Sequence, residues 1–222
     1  MSSSPPAADR AAGEAIVDWY AGAARDLPWR QPGVDAWAVL VSEVMLQQTP
    51  VARVEPVWPA WMQRWPSPAA LAGSTPADAI RAWGKLGYPR RALRLRDAAV
   101  AITERHGGAV PADVTALEAL PGIGTYTARA VACFGYGQAQ PVVDTNVRRV
   151  VARLVHGRAE AGTARATDLT DIAALAPADP ARAVRFSVAT MELGALVCTA
   201  RVARCGVCPV RNVCATYRQT MK

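Results

Sequence analysis

Leu120-Pro121-Gly122-Ile123-Gly124 lies between two apolar stretches, Val114–Leu120 and Thr125–Phe134, and its reading decides the fold. Both flanks have the composition of short helices, so the segment reads as two helices joined by a tight turn. The glycines permit the sharp reversal and bring backbone N–H groups to the surface where the second helix starts. Such a nest, with the helix dipole behind it, binds a phosphate without reading base sequence. An ordinary helix–helix turn has the same composition, and taken alone the segment fits either reading.

Working outward, the rest of the chain is rich in Ala, Leu and Arg at helical spacing and is punctuated by Pro and Gly. The pattern predicts helices over Ala15–Arg25, Asp35–Gln48 and Val51–Trp65, with Pro56 and Pro59 kinking or dividing the third. Thr75-Pro76, an N-cap followed by proline, starts a helix to about Leu86. Arg90–His106 carries apolar residues three and four apart and stops at Gly107-Gly108. Asp144–Val155, Thr163–Ala176 and Ala181–Leu196 follow the hairpin. Strand signals are nearly absent, so the chain is expected to be all-α, with about ten helices and no internal repeat.

The bulk properties fit a globular protein with a polyanionic partner. Of 222 residues, 51% are hydrophobic and 19% charged, and 25 Lys+Arg against 18 Asp+Glu give a net charge of +7. Such an excess suits nucleic acid, although a solvated basic face gives the same count. The start of the chain is rich in Ser, Pro and Ala and reads as a disordered tail over residues 1–14. No apolar run reaches the roughly 18 residues of a membrane span. With no signal peptide, the expectation is a cytoplasmic protein.

Two carboxylates stand out. Glu43 lies in Trp37-Ala38-Val39-Leu40-Val41-Ser42-Glu43-Val44-Met45-Leu46, where almost every neighbour is apolar. A desolvated carboxyl there holds its proton more tightly, which suits a general acid. The plainer alternative puts Glu43 on a polar helix face with Ser42 and Gln47. Asp144, in Val142-Val143-Asp144-Thr145-Asn146-Val147, opens a helix and reads first as an N-cap. Capping and catalysis are compatible, since a helix N-terminus favours negative charge. A neutral acid paired with a carboxylate is what cleavage of a glycosidic bond requires.

Four of the five cysteines crowd into Cys198-x6-Cys205-x2-Cys208-x5-Cys214. That crowding suits a metal centre better than disulfides. Zinc and iron–sulfur clusters both accept four thiolates. The same loop carries Arg201, Arg204 and Arg211, which either contact phosphates or balance the charge of the centre. Cys133 lies in an Ala/Val-rich helix and reads as a small buried hydrophobe.

Ser42-Glu43-Val44-Met45-Leu46-Gln47-Gln48-Thr49 closely resembles the hallmark of MutY-type adenine DNA glycosylases, within the helix-hairpin-helix, endonuclease III-like superfamily. The likeness extends from Leu27-Pro28-Trp29-Arg30 through Trp83-Gly84-Lys85-Leu86-Gly87-Tyr88, the hairpin, Asp144, Glu192-Leu193-Gly194-Ala195 and the cysteine loop. It covers about residues 15 to 215. The resemblance implies the helix-hairpin-helix DNA glycosylase fold. A six-helix barrel would span 36–140, and residues 15–35 with 141–222 would form a helical iron–sulfur domain. It implies a [4Fe–4S] cluster on the four cysteines of the loop, and as substrate double-stranded DNA in which adenine mispaired with 8-oxoguanine or guanine is flipped out of the helix. By the same resemblance Glu43 protonates adenine at N7 and Asp144 stabilises the sugar cation, with Tyr126 and Asn146 in support. Arg30 lines the adenine pocket. Gly122 and Gly124 hold DNA phosphate, and Gln48, Thr49 and Tyr88 probe the opposite strand. Endonuclease III has Lys at the position of Tyr126; a tyrosine forms no Schiff base, so the product is expected to be an abasic site. The enzyme is expected to act as a monomer.

Two departures from the family pattern stand out. Val188 occupies a place where adenine glycosylases commonly have Gln or Glu facing the base. The sequence also stops eight residues after Cys214, where many family members continue into a C-terminal domain that recognises 8-oxoguanine, so weaker discrimination of that base is expected. Two rival readings are a thymine or uracil mismatch glycosylase of the same fold and a non-catalytic DNA-binding module. Pyrimidines have no N7 to protonate, and a binding module has no need of a desolvated acid, so Glu43 speaks against both.

Overall fold

The structure, a computed structural model, describes residues 7–220. These residues form α-helices and short 3-10 turns, with no strand among them. Among the described residues, no helix is long and apolar enough to cross a membrane. The chain divides into two units, one of Asp26–Gly137 and one combining the residues up to Arg25 with those from Gln138 onward.

The unit 26–137 holds a 3-10 turn, Pro28–Arg30, and helices α2 (Ala36–Leu46), α3 (Val51–Val54), α4 (Trp58–Arg64), α5 (Pro68–Ala72), α6 (Pro76–Trp83), α7 (Arg90–Arg105), α8 (Val114–Glu118) and α9 (Thr125–Tyr136). Six helices are predicted over this stretch and eight are found. Pro56 and Pro59 divide the third into α3 and α4. Helix α5 went unforeseen, although Ser67-Pro68 repeats the start signal of Thr75-Pro76; it is only five residues long. Short polar side chains begin α2, α5, α6 and α8. Asp35 accepts from the Ala38 amide at 2.8 Å, and Asp113 accepts from that of Ala116 at 2.9 Å.

Helix α2 is the axis of this unit, with every residue from Ala36 to Met45 buried. Helix α9 crosses it closely at Gly135, where a Cβ would lie 2.9 Å from the Ala36 Cα. Six tryptophans fill the surrounding core. Trp61 meets Trp83 edge-on at 5.5 Å, a geometry worth about 0.5–1.5 kcal/mol beyond area burial. Indole N–H groups of Trp37 and Trp58 donate to the Trp65 and Ala38 carbonyls at 3.0 and 3.1 Å. Leu27 and Trp29 belong to this core, with Trp29 against Trp58 at 6.2 Å. Residues 26–35 therefore pack here rather than with the C-terminal part of the chain.

The other unit holds α1 (Ala7–Ala23), α10 (Thr145–Leu154), α11 (Asp168–Leu175), α12 (Pro180–Leu196) and α13 (Ala215–Thr220). Helix α1 starts at Ala7, so the tail expected over 1–14 is corrected for 7–14; residues 1–6 lie outside the described residues. The apolar stripes of α1, α10, α11 and α12 bury Ile16, Val150, Ile172, Phe186 and Leu193 together. Gly13 lets α1 reach the end of α11, since a Cβ there would sit 1.9 Å from the Leu175 carbonyl oxygen. Glu192, fully buried on α12, accepts from the Arg25 amide, Nε and Nη2 at 3.0, 2.7 and 2.8 Å.

Candidate active site and cysteine pocket

In the unit 26–137, Glu43 is 6% exposed in the second half of α2. The alternative that placed it on a polar face fails: Ser42 is 1% exposed and donates to its own helix at the Val39 carbonyl, 2.8 Å away. A carboxyl carried by this wall of apolar side chains is shielded from bulk water. The end of α2 is tied to the start of α9 by Gln47, whose Nε2 donates to Thr127 Oγ1 at 3.3 Å. Tyr126, half-buried, precedes Thr127 in that first turn, and Arg30 ends the 3-10 turn before α2, also half-buried.

The hairpin between α8 and α9 anchors through Leu120 and Ile123, both buried, and leaves Gly122 and Gly124 exposed. Gly122 has φ +77, and a Cβ there would lie 2.7 Å from the Arg94 Cβ, so the turn rests directly on α7. Gly124 occupies the N-cap of α9 with extended backbone and no side-chain cap. Gln48, Thr49 and Tyr88 are brought together on two neighbouring loops. Thr49 is buried and donates to the Leu86 carbonyl at 3.1 Å. Gln48 is exposed and Tyr88 is 61% exposed.

In the other unit Asp144 caps α10, as its position predicts: Oδ1 accepts from the Val147 amide at 2.7 Å. Oδ2 accepts from Asn146 Nδ2 at 2.8 Å. Asn146 Oδ1 in turn accepts from Arg149 Nη2 at 2.7 Å. The Arg149 guanidinium also donates to the Gly194 and Cys198 carbonyls, each at 2.7 Å. Burial pulls the Arg149 pKa below its ordinary value, and the charge of Cys198 opposes this. A Cβ at Gly194 would lie 2.7 Å from the Asn146 Cβ, so a glycine on α12 gives Asn146 its place. Val188 is half-buried on the same helix.

Cys198, Cys205, Cys208 and Cys214 are all free thiols and line one cavity of about 280 Å³. Burial pushes the Cys208 thiol up to about 11, reinforced by the other three thiols and opposed by the Val210 amide. Arg153 reaches into the same loop, donating to the Thr199 carbonyl at 2.8 Å and to Cys198 Sγ at 3.4 Å. Among the described residues, no three His, Cys, Asp or Glu side chains converge tightly enough to hold a metal ion. Arg201, Arg204 and Arg211 are exposed, and Cys133 is fully buried in α9.

Residues 41–174 match the HhH-GPD superfamily base excision DNA repair protein family. The chain belongs to this superfamily. It is 62% identical over 197 residues to an adenine DNA glycosylase of Mycolicibacterium smegmatis, covering 89% of this chain and 67% of that protein. It is 35% identical to a thymine/uracil-DNA glycosylase of Pyrobaculum aerophilum, covering 93% of this chain and 91% of that one. In fold it matches the structure of a thermostable thymine-DNA glycosylase with TM-score 0.86 and 24% identity, covering 95% and 97% of the two chains. The chain spans about two thirds of the length of the mycobacterial relatives it matches.

Within this HhH-GPD chain, two residues that tie the site loops together escaped the sequence reading. Arg91 and Arg149 look like surface cations in a basic helix. Arg91 carried a signal, for it falls in phase with Leu95, Ala98 and Ile102 on the buried stripe of α7. Arg149 stands three residues after Asn146, on the same face of α10.

Proposed function

We propose that this chain is a monofunctional adenine DNA glycosylase. It hydrolyses the bond between adenine and deoxyribose at mispairs with 8-oxoguanine or guanine and leaves an abasic site. The observation that carries the reading is Glu43, an acid 6% exposed within α2, in a chain 62% identical to an adenine DNA glycosylase. Glu43 donates its proton to adenine N7, the C1′–N9 bond breaks with the electron pair leaving on the purine, and water adds at C1′ and gives its proton to the Glu43 carboxylate, which restores the acid. Asp144, held ready by the Val147 amide and Asn146, offsets the positive charge that develops on the sugar. Tyr126 supports the sugar, Arg30 lines the adenine pocket, and the exposed Gln48 and Tyr88 meet the opposite strand, while Thr49, expected to do so as well, is buried and holds the loop beneath them. The exposed amides at Gly122 and Gly124 hold a phosphate of double-stranded DNA.

The four loop cysteines are proposed to hold a [4Fe–4S] cluster, which when bound pins the loop. Support comes from the four free thiols that line one cavity of about 280 Å³. The half-buried Cys208 gives up its proton on ligation.

A second reading, thymine or uracil excision opposite guanine, is favoured by the 35% identical relative and by Val188, which offers a base no hydrogen bond. Base release from duplexes with A opposite 8-oxoguanine, A opposite G, and T or U opposite G separates the two. Free adenine from the native chain is expected, falling by about 100-fold or more in Glu43→Gln and Asp144→Asn. Release of thymine or uracil instead would overturn the assignment.

A further inference from the structure

Two non-glycine residues among those described have positive φ: Gln48 at +55 and Tyr88 at +48. A left-handed backbone is unfavourable for such side chains and persists only where the surroundings enforce it. One buried side chain reaches the peptide just before each of them. Arg91, 8% exposed on α7, donates through Nη1 to the Gln47 carbonyl and through Nη2 to the Gly87 carbonyl, the latter at 3.1 Å. The same fork binds the Val44 and Met45 carbonyls at 3.1 and 3.0 Å and Thr49 Oγ1 at 2.7 Å. Its guanidinium lies 5.4 Å from the Tyr88 ring and 5.2 Å from that of Trp83.

A planar guanidinium presents donors on separate nitrogens in a fixed fork that spans acceptors from two loops; a lysine ammonium presents its three donors from one nitrogen and does not reproduce that spacing. The oxygens that Arg91 binds are all neutral, carbonyls and one hydroxyl, so the buried charge is compensated by these dipoles and by the two rings and not by an acid. That arrangement is costly unless the carbonyls must be held where they are.

We propose that Arg91 is the positioning residue that sets Gln48 and Tyr88 jointly, so that the two exposed side chains meet the opposite strand as one rigid pair. This rests on the proposed role of Gln48 and Tyr88 in probing the base opposite adenine. Arg91 itself, at 8% exposure, acts through the loops and not by touching DNA. Loss of the fork therefore loosens recognition of the opposite base more than it slows the chemistry on adenine.

The test compares the native chain with Arg91→Lys in two measurements. The first is the ratio of binding affinities for duplexes with A opposite 8-oxoguanine and A opposite C. The second is the fluorescence of 2-aminopurine placed beside the opposite base, which reports whether a side chain stacks there. Arg91→Lys is expected to lower the affinity ratio about tenfold and to abolish the fluorescence change on binding. Its single-turnover excision rate at saturating enzyme should stay within about threefold. A native ratio and a native fluorescence change in folded Arg91→Lys overturn the proposal, as does an equal loss of excision and discrimination. Should Arg91→Lys fail to fold, Thr49→Val and Thr49→Ser decide. Serine keeps the hydroxyl that accepts from Arg91 and should behave as native; valine removes it and should reproduce the loosened recognition. If the two Thr49 variants behave alike, the coupling is refuted. A native chain that quenches 2-aminopurine but releases no adenine sinks the proposed activity and leaves the positioning role standing.

Discussion

Gly194→Ala tests whether the geometry around Asp144 is what the chemistry uses. The added Cβ would stand 2.7 Å from the Asn146 Cβ and 3.0 Å from its carbonyl oxygen. Ordinary contact begins near 3.4 Å, so Asn146 must retreat by roughly 0.5–1 Å or α10 and α12 must part. Overpacking of this kind costs about 1–3 kcal/mol, which for a chain of this length lowers the melting temperature by roughly 2–12 °C. Asn146 cannot retreat without lengthening its 2.8 Å bond to Asp144 Oδ2 or its 2.7 Å bond from Arg149. A displacement near 1 Å in a group that orients a charged stabiliser can cost about 100-fold in rate. The assay is single-turnover adenine release at saturating enzyme, at a temperature where circular dichroism shows the variant folded. A folded Gly194→Ala chain with the native rate would refute the reasoning, because Asn146 would have moved with no consequence for Asp144.

Glu192→Gln puts an amide among three Arg25 donors at a carboxylate that is fully buried while its partner is about one-third exposed, and is expected to cost about 1–3 kcal/mol in urea unfolding; no measurable change would mean the pair relaxes into water. Thr75 and Asp78 cap α6 reciprocally, and hydrogen bonds from Thr75 and Arg81 hold the Asp78 carboxyl well below its ordinary 3.8. The sign follows: its contribution is complete above 3.8 and fades as pH falls below it, so Thr75→Ala should flatten the acid limb of a stability profile, and an unchanged limb argues against the coupling. In metal-free protein the Cys208 thiol, raised from 9.0 to about 11, keeps its proton longer in the folded state. Stability should therefore drop as pH rises from about 9 to 11, a trend that Cys208→Ser removes. Reconstitution with iron and inorganic sulfide should bring visible absorbance that Cys205→Ser abolishes; retained absorbance would point away from these ligands.

Much of this was legible because the signals are local. Thr75-Pro76 announces a helix start through its own side chain and ring, and the Pro-Gly-x-Gly turn announces a reversal through φ alone. Glu43 could be read as buried since its neighbours on both sides are apolar, and α2 is indeed covered all round. The failures have a shared cause. Helix α5 is stabilised by packing against α7 more than by its five residues, and short helices carry too little periodicity to detect. Helix α1 begins at Ala7 because Ala12, Ile16 and Val17 find a core made by residues beyond 147, a partner invisible in the local pattern. Gly194 and Gly13 are ordinary helix-interior glycines in sequence; only the approach of a second helix explains them.

Arg91 and Arg149 belong to different units, yet they solve one physical problem in the same way. Each sits where a helix ends: Arg91 against the Val44, Met45 and Gln47 carbonyls at the end of α2, Arg149 against the Gly194 and Cys198 carbonyls at the end of α12. The last carbonyls of a helix lack intrahelical partners and carry its partial negative charge, so a cation is favoured there. In both places the chain then turns abruptly into a segment given a functional role, the Gln48 loop in one unit and the cysteine loop in the other. Burial lowers the pKa of both guanidinium groups, which for arginine leaves the charge intact at any working pH. A lysine so desolvated could shed its proton and release the carbonyls. A charge that persists under desolvation, on a fork that reaches several carbonyls, lets a helix terminus be both buried and sharply ended, and the geometry of the segment beyond it follows from that.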